Sequence, residues 1–361
     1  MSFADLLRSL PIPIIQAPMI GASTHAMALA VSGAGGMGTL AAGALAPAEV
    51  GPAVAAMRRA TDAPFAVNLL MAPAISPDPA EVRRALDRLA PWYAEGGAAL
   101  PATPNQFAPS FEAQLEALTA AAPPVATFAF SVLTRPHVAA LQAAGTYVVG
   151  TATTVAEARV WADAGADGVC AQGVEAGGHR GHFLGDIDAS LVGTMALVST
   201  ICAATQLPVI AAGGIMDGRG VAAALALGAS AVQMGTAFLL ADEAVTSAPW
   251  RRAVIGVGDE STRLTRAFTG RYARGIENRF MRLMHGVQDD VPAYPVQNRL
   301  TQPLRAAATQ ADDSEMISLW AGQGVTLARP GRAADMVRQW WSEAGDIAAE
   351  LAVRTGRGLS A

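Results

Sequence analysis

The 361-residue chain contains no lysine; all 25 of its basic residues are arginine. Schiff-base aldolases, pyridoxal-phosphate enzymes and Walker-type phosphate loops all need a lysine amine, so those chemistries are excluded. Cysteine is almost as scarce. Cys170 and Cys202 alone cannot build a disulfide framework, which points to a reducing compartment. Charge is also sparse: 15% of residues are charged, against 52% hydrophobic, which rules out disorder and supplies a large core. The formal charge of −5 argues against nucleic acid or an anionic membrane surface as a partner.

The first ten residues carry Asp5 and Arg8 and lack a basic segment followed by an apolar run. No secretory signal is expected there, and the protein is expected to be cytoplasmic. Two uncharged stretches, His25 to Pro47 and Ala189 to Met216, are long enough to invite a membrane reading. Glycine, proline, serine and threonine interrupt both at turn-like positions, so buried elements of a soluble fold are expected instead.

What the chain does have is alternation. Apolar runs at Ile12–Ala17, Met37–Leu40, Phe65–Leu70, Val125–Phe130, Tyr147–Val149, Gly168–Gln172, Pro208–Ala212 and Ala231–Gly235 read as strands. Alanine-rich segments at Pro47–Ala60, Pro79–Tyr93, Arg135–Ala144, Val155–Ala164 and Arg219–Leu227 read as helices between them. Continuous apolar strands alternating with helices predict a parallel sheet covered on both faces. Eight of them in about 240 residues fit an α/β fold of the (β/α)₈ (TIM) barrel type. The expected organisation is a barrel over 1–245, an arginine-rich excursion across its mouth over 246–330, and terminal helices over 331–361.

Three segments carry candidate chemistry. Gln172-Gly-Val-Glu-Ala-Gly-Gly-His-Arg-Gly181 directly follows a predicted strand, where barrel enzymes place their active-site loops. Gly177, Gly178 and Gly181 permit close approach of backbone to a ligand, and His179 sits among them on a tight loop as the candidate catalytic residue. Arg180 and Glu175 read as members of loop-fixing ion pairs, while His182 could be structural or could touch a ligand. Ala211-Ala-Gly-Gly-Ile215 and Gln233-Met-Gly-Thr236 close the last two barrel strands. Gly213, Gly214, Gln233, Met234, Gly235 and Thr236 are therefore the candidates to bind a phosphate-bearing ligand. Met19, in Gln16-Ala-Pro-Met19, and Asn68 stand at two further strand ends, where a carboxamide and a thioether could meet a flat heterocycle. No metal cluster is expected, because His179 and His182 have no third ligand nearby. Gly33, Gly35 and Gly38 match a dinucleotide-binding spacing, but they follow a helix-like run and lead into a strand, so a helix-to-strand turn is the better reading.

Taken together, Ile15–Met19, Val67–Leu69, Ala171–Gly181, Ile210–Ile215, Val232–Thr236 and the late Leu319–Gly324 resemble the nitronate monooxygenases, FMN-dependent (β/α)₈ barrels. The resemblance implies FMN contacts from Met19, Asn68, Gln172, Gly177, Gly214 and the run Gln233–Thr236, and a catalytic role for His179. It implies nitronate and O₂ as reactants, with flavin taking electrons from the nitronate. Three departures, Ile20, Leu70 and the lack of any lysine in the late Tyr294–Arg305 segment, concern the shape of the substrate pocket. A flavin-dependent enoyl-acyl-carrier-protein reductase using NAD(P)H shares the Gly-Gly-His loop and stays open as an alternative, as does a non-redox phosphate-binding barrel. The sequence leaves open the oligomeric state. It also leaves open whether Arg274 or Arg299 reaches the substrate and whether Tyr272 or Tyr294 lines the pocket.

Overall fold

In the computed structural model, which describes residues 1–73 and 75–356, eleven strands follow one another along the chain. They are β1 (Ile14–Gln16), β2 (Gly38–Ala41), β3 (Phe65–Leu70), β4 (Val125–Ala129), β5 (Tyr147–Ala152), β6 (Gly168–Gln172), β7 (Gly178–His179), β8 (Val209–Ala212), β9 (Ala231–Met234), β10 (Thr262–Thr265) and β11 (Ala273–Ile276). Eight pair in parallel in the order β1-β9-β8-β6-β5-β4-β3-β2. A parallel bridge between Ile15 and Met37 joins the two edges, with Gln16 N–H donating to the Met37 carbonyl at 3.0 Å. The fold is a (β/α)₈ barrel, and all eight expected strands are in it. The remaining strands, β10-β11-β7, form a small antiparallel sheet.

The inner core explains the composition. Ile15, Met37, Ala66, Val125, Val149, Cys170, Ile210 and Ala231, one from each barrel strand or its start, form a single buried cluster. Ala212 and, from the chain's first helix and its end, Phe3, Leu6, Leu7 and Leu10 complete it, so the helix Phe3–Ser9 plugs the end of the barrel opposite the site. Its start is secured by Ser2, whose hydroxyl accepts from Asp5 N–H while Asp5 returns a bond to Ser2. Burying each large apolar side chain contributes about 1.5–3 kcal/mol. That plug was not legible as a helix, since seven residues give too short a periodic signal.

The helices between strands match the expected ones closely: Pro47–Ala60, Arg135–Ala143, Val155–Ala164 and Gly218–Ala226. Pro79–Glu95 is followed by a second helix, Phe111–Ala121, in the long proline-rich connection. The late segment ends in one helix, Ala333–Arg354, not several; residues 357–361 lie outside the described residues. Gly38 opens β2 directly after the helix His25–Gly33, and a Cβ there would fall 2.0 Å from the Ala28 carbonyl oxygen. The dinucleotide-like glycines are thus a tight helix-to-strand joint. Among the described residues no helix is long and apolar enough to cross a membrane.

Candidate active site

Strand side chains alternate, so residues two positions beyond the inner core point into the same barrel interior, one layer higher. In that layer Asn68, Thr127, Thr151, Gln172 and Gln233 replace the aliphatic residues below, and all five line a cavity of roughly 1300 Å³ at the C-terminal ends of the strands. That volume exceeds the roughly 300–1,000 Å³ of a typical small-molecule pocket and leaves room for a cofactor beside a second molecule. Asn68 donates its Nδ2 to Thr127 Oγ1 at 3.0 Å, while its Oδ1 forms no bond among the described residues. Gln233 has no side-chain hydrogen bond there at all and faces the cavity. Met19 lines the same cavity, as do Ile20 and Leu70, two of the departures from the family pattern. Met234 does not line it. Alternation turns its side chain outward into the core under the helices, fully buried, and its carbonyl accepts from Ala17 N–H at 2.8 Å.

The glycine loops converge on one end of the cavity. Gly213 (φ +113°) and Gly214 (φ +71°) adopt a left-handed backbone that L-residues rarely take. The N–H groups of Gly214, Gly235 and Thr236 donate to no protein acceptor among the described residues, and all three residues line the cavity. Thr236 Oγ1 accepts from Gly322 N–H at 2.9 Å, which leaves its own O–H free to donate. Unpaired peptide N–H groups from two adjoining loops form an anion cradle. These residues fit the phosphate of a nucleotide cofactor.

His179 stands across from that cradle. It is not on a free loop: as β7 it pairs with β11, His179 opposite Ala273 and Gly178 opposite Arg274. Three aromatic rings surround the imidazole, with centroids at 5.6 Å (Phe130), 5.7 Å (Tyr294) and 5.5 Å (Trp320). Phe130 holds φ at +86°, a strained backbone at the end of β4, with the Arg271 guanidinium 4.2 Å from its ring centroid. His179 Nε2 lies 3.0 Å from Thr269 Oγ1. The imidazole pKa is pushed down to about 3 by burial first, then by the positive charges of Arg271 and Arg305. The ring is therefore neutral at physiological pH, not poised near 6.5 as an unperturbed histidine would be. Arg305 lines the cavity, and neither Arg271 nor Arg305 has a carboxylate within salt-bridge distance among the described residues.

The loop residues are tied down by backbone groups. Gln172 donates Nε2 to the His179 carbonyl at 3.0 Å and accepts from Gly181 N–H at 2.8 Å, so its carboxamide clamps the histidine loop. Arg180 and Glu175 fix the loop as expected, but through backbone groups and not through ion pairs among the described residues. Arg180 donates to the carbonyls of Gly173 (2.6 Å), Ser190 (2.7 Å) and Gln172 (3.2 Å). Glu175 accepts from the Thr194 N–H at 2.9 Å and holds the start of the helix Thr194–Ala204. Gln16 is likewise structural, fully buried and accepting from Thr39 N–H at 3.0 Å. His182 stays outside the cavity lining, its Nδ1 buried without a partner among the described residues. Of the undecided residues, Tyr294 and Arg299 line the cavity; Tyr272 does not, and Arg274 is buried against the Val174 carbonyl at 2.9 Å. Thr269, Phe130, Arg271 and Arg305 were missed: each is remote in sequence from the glycine loop and sits in no motif.

Residues 5–343 match the Nitronate monooxygenase family. The chain belongs to that family. It is similar to the nitronate monooxygenase of Pseudomonas aeruginosa, 45% identical over 331 residues that cover 90% of this chain and 94% of that protein. It is also similar to a probable nitronate monooxygenase of Staphylococcus aureus, 39% identical over 89% of this chain and 90% of that one. Among solved structures, the nitroalkane oxidase of Streptomyces ansochromogenes superposes with a TM-score of 0.89 at 40% identity, covering 96% of this chain and 99% of its own. FabK of Thermotoga maritima follows at TM-score 0.74 and 29% identity, covering 97% and 98%. Membership of the nitronate monooxygenase family makes the chain an enzyme.

Proposed function

We propose that this chain oxidises alkyl nitronates with molecular oxygen, using FMN held by the peptide cradle and the polar barrel floor. The observation that carries this reading is that the unpaired N–H groups at Gly214, Gly235 and Thr236 share one cavity with a neutral imidazole, its aromatic cage and Arg305, while Arg271 adds a second guanidinium over the Phe130 ring, neither arginine having a carboxylate partner among the described residues. Gly177, Gly178 and Gly213 keep the loops close to the cofactor, Thr236 adds a hydroxyl donor, and Met19, Asn68 and Gln233 meet the ring system. Gln172 contributes by fixing the His179 loop, and Met234 only through its backbone. FMN supplies the acceptor for the substrate's electrons, which oxygen finally receives.

The chain's own residues select the substrate's charge. Arg271 and Arg305 hold positive charge beside His179, so an anion is drawn in and a cation is repelled. An imidazole whose pKa is about 3 is a weak base, which favours a preformed nitronate over a neutral nitroalkane as the better substrate. Phe130, Tyr294 and Trp320 exclude water and confine a small carbon skeleton. The absorption spectrum of the purified protein, followed by oxygen uptake with propionate 3-nitronate, tests the reading. A colourless protein that takes up no FMN, or rapid anaerobic bleaching by NADH without nitronate-dependent oxygen uptake, overturns it.

A further inference from the structure

We infer that Thr269 is a positioning residue that locks His179 in the tautomer with its proton on Nε2, leaving Nδ1 as the acceptor that faces the cavity. The inference rests on reading His179 as the group that meets the substrate. The hydroxyl of Thr269 is buried and fully committed. It donates to the Arg271 carbonyl at 3.1 Å, a bond that no other donor supplies among the described residues. Its oxygen accepts from Arg271 N–H at 3.4 Å, and its remaining lone pair lies 3.0 Å from His179 Nε2. With its one proton spent on Arg271, the hydroxyl can only accept from the imidazole, so Nε2 carries the hydrogen. The other ring nitrogen, Nδ1, forms no hydrogen bond among the described residues and is not buried; it is open to the cavity that His179 lines.

The consequence differs for the two kinds of substrate. From a neutral nitroalkane, Nδ1 takes the α-proton: the C–H bond breaks, an N–H bond forms, and the electron pair passes into the nitro group as a nitronate. Toward a preformed nitronate, the neutral ring offers a lone pair and no donor. Removing the Thr269 hydroxyl frees the proton to move to Nδ1, which harms the first interaction and does not harm the second. A residue that merely held the fold together would damage both.

Two-bond ¹H–¹⁵N correlation spectra of the full chain, labelled with ¹⁵N-histidine and used as purified, read the tautomer directly. His179→Asn identifies which of the five histidine signals belongs to the site. The expected pattern is Nε2–H in the wild type and in Thr269→Ser, and its loss in Thr269→Val, with Thr269→Ala serving the same purpose if the valine variant does not fold. In turnover, the variant without a hydroxyl should lose about ten-fold or more in kcat/KM for nitroethane, with no rise in KM for ethyl nitronate, and serine should restore the loss. An Nδ1–H pattern in the wild type overturns the inference, as does an unchanged tautomer without the hydroxyl or an equal loss on both substrates. The spectra need neither FMN nor turnover, so a failure of the proposed function leaves them readable.

Discussion

A Cβ placed on Gly177 would lie 2.5 Å from the backbone nitrogen of Gly322, although the two residues are far apart in sequence. The reverse is also true, since a Cβ on Gly322 would lie 2.5 Å from the Glu175 carbonyl oxygen. The histidine loop and the late Leu319–Gly324 segment therefore touch backbone to backbone, which is how Trp320 comes to rest beside His179.

Gly177→Ala should separate those two segments. Neither obstacle is the far end of a flexible side chain, so the backbone must move, at a cost of about 1–3 kcal/mol. The expected result is a lowered thermal midpoint and weaker flavin retention, read by thermal unfolding and by the visible spectrum after gel filtration. Gly178→Ala is the control for steric contact: its Cβ would meet nothing within 4 Å, and only its φ of +72° resists the change. A Gly177→Ala protein that melts and binds flavin like the wild type would refute the contact.

Arg180 should be the most costly loop residue to replace. It is fully buried, its pKa drops to about 10 mainly through burial, and three main-chain carbonyls solvate its charge. Arg180→Leu would take the guanidinium donors from the Ser190 and Gln172 carbonyls and leave the Gly173 carbonyl only its longer bond from Ala176 N–H at 3.2 Å, each lost buried bond being worth about 1–3 kcal/mol. We expect destabilisation of about 3 kcal/mol or more by urea unfolding. Arg180→Lys should recover little, because one ammonium cannot span three carbonyls held in a guanidinium fork. A leucine variant as stable as the wild type would show that the loop is held elsewhere.

The barrel was legible because its strands are short apolar runs cut by glycine and proline, a pattern that buried parallel strands impose directly. The small sheet β10-β11-β7 was not, since a two-residue strand at Gly178–His179 carries no periodicity and reads as a loop. Met234 was misplaced although the means to place it were present: in Gln233-Met234-Gly235, alternation sends only the first and third residues inward. Phe130 was hidden at the end of an apolar run, where nothing in the sequence marks a left-handed backbone. Thr269 and Arg305 reach the cavity, and Arg271 its place over Phe130, only through tertiary folding of the arginine-rich segment, and one threonine among many has no local signature. His179, by contrast, was conspicuous, because a histidine among Gly177, Gly178 and Gly181 shows no helical or strand periodicity, even though the structure places it in the two-residue strand β7.

The depressed histidines predict an acid-side loss of stability. Burial, reinforced by Arg271, lowers His182 to about 4, as burial with Arg271 and Arg305 lowers His179 to about 3. In the unfolded chain both return to about 6.5. Below that value the unfolded state binds protons that the folded state refuses, so stability falls as pH drops from about 6.5 toward 4 and these two contributions level off near 3. Above 6.5 they contribute no slope. Thermal midpoints measured from pH 7.5 to 5 should decline in the wild type and decline less steeply in His179→Asn. Identical slopes would mean that His179 titrates normally in the folded protein.

Replacing His179 should also divide the two substrate classes. Asparagine can still bond to Thr269 but cannot accept a proton at neutral pH, so His179→Asn removes the base while leaving Arg271, Arg305 and the aromatic cage in place. General-base help is commonly worth about 10²–10⁴-fold, and a loss in that range is expected in kcat/KM for a neutral nitroalkane. For a preformed nitronate the α-proton is already gone, and the guanidiniums still attract the charge, so the loss should stay below about ten-fold. Steady-state oxygen uptake with nitroethane and with ethyl nitronate, each on flavin-saturated protein, separates the outcomes. Equal losses on both would place the role of His179 in binding or flavin placement, and proton removal would have to be assigned to another group in the cavity.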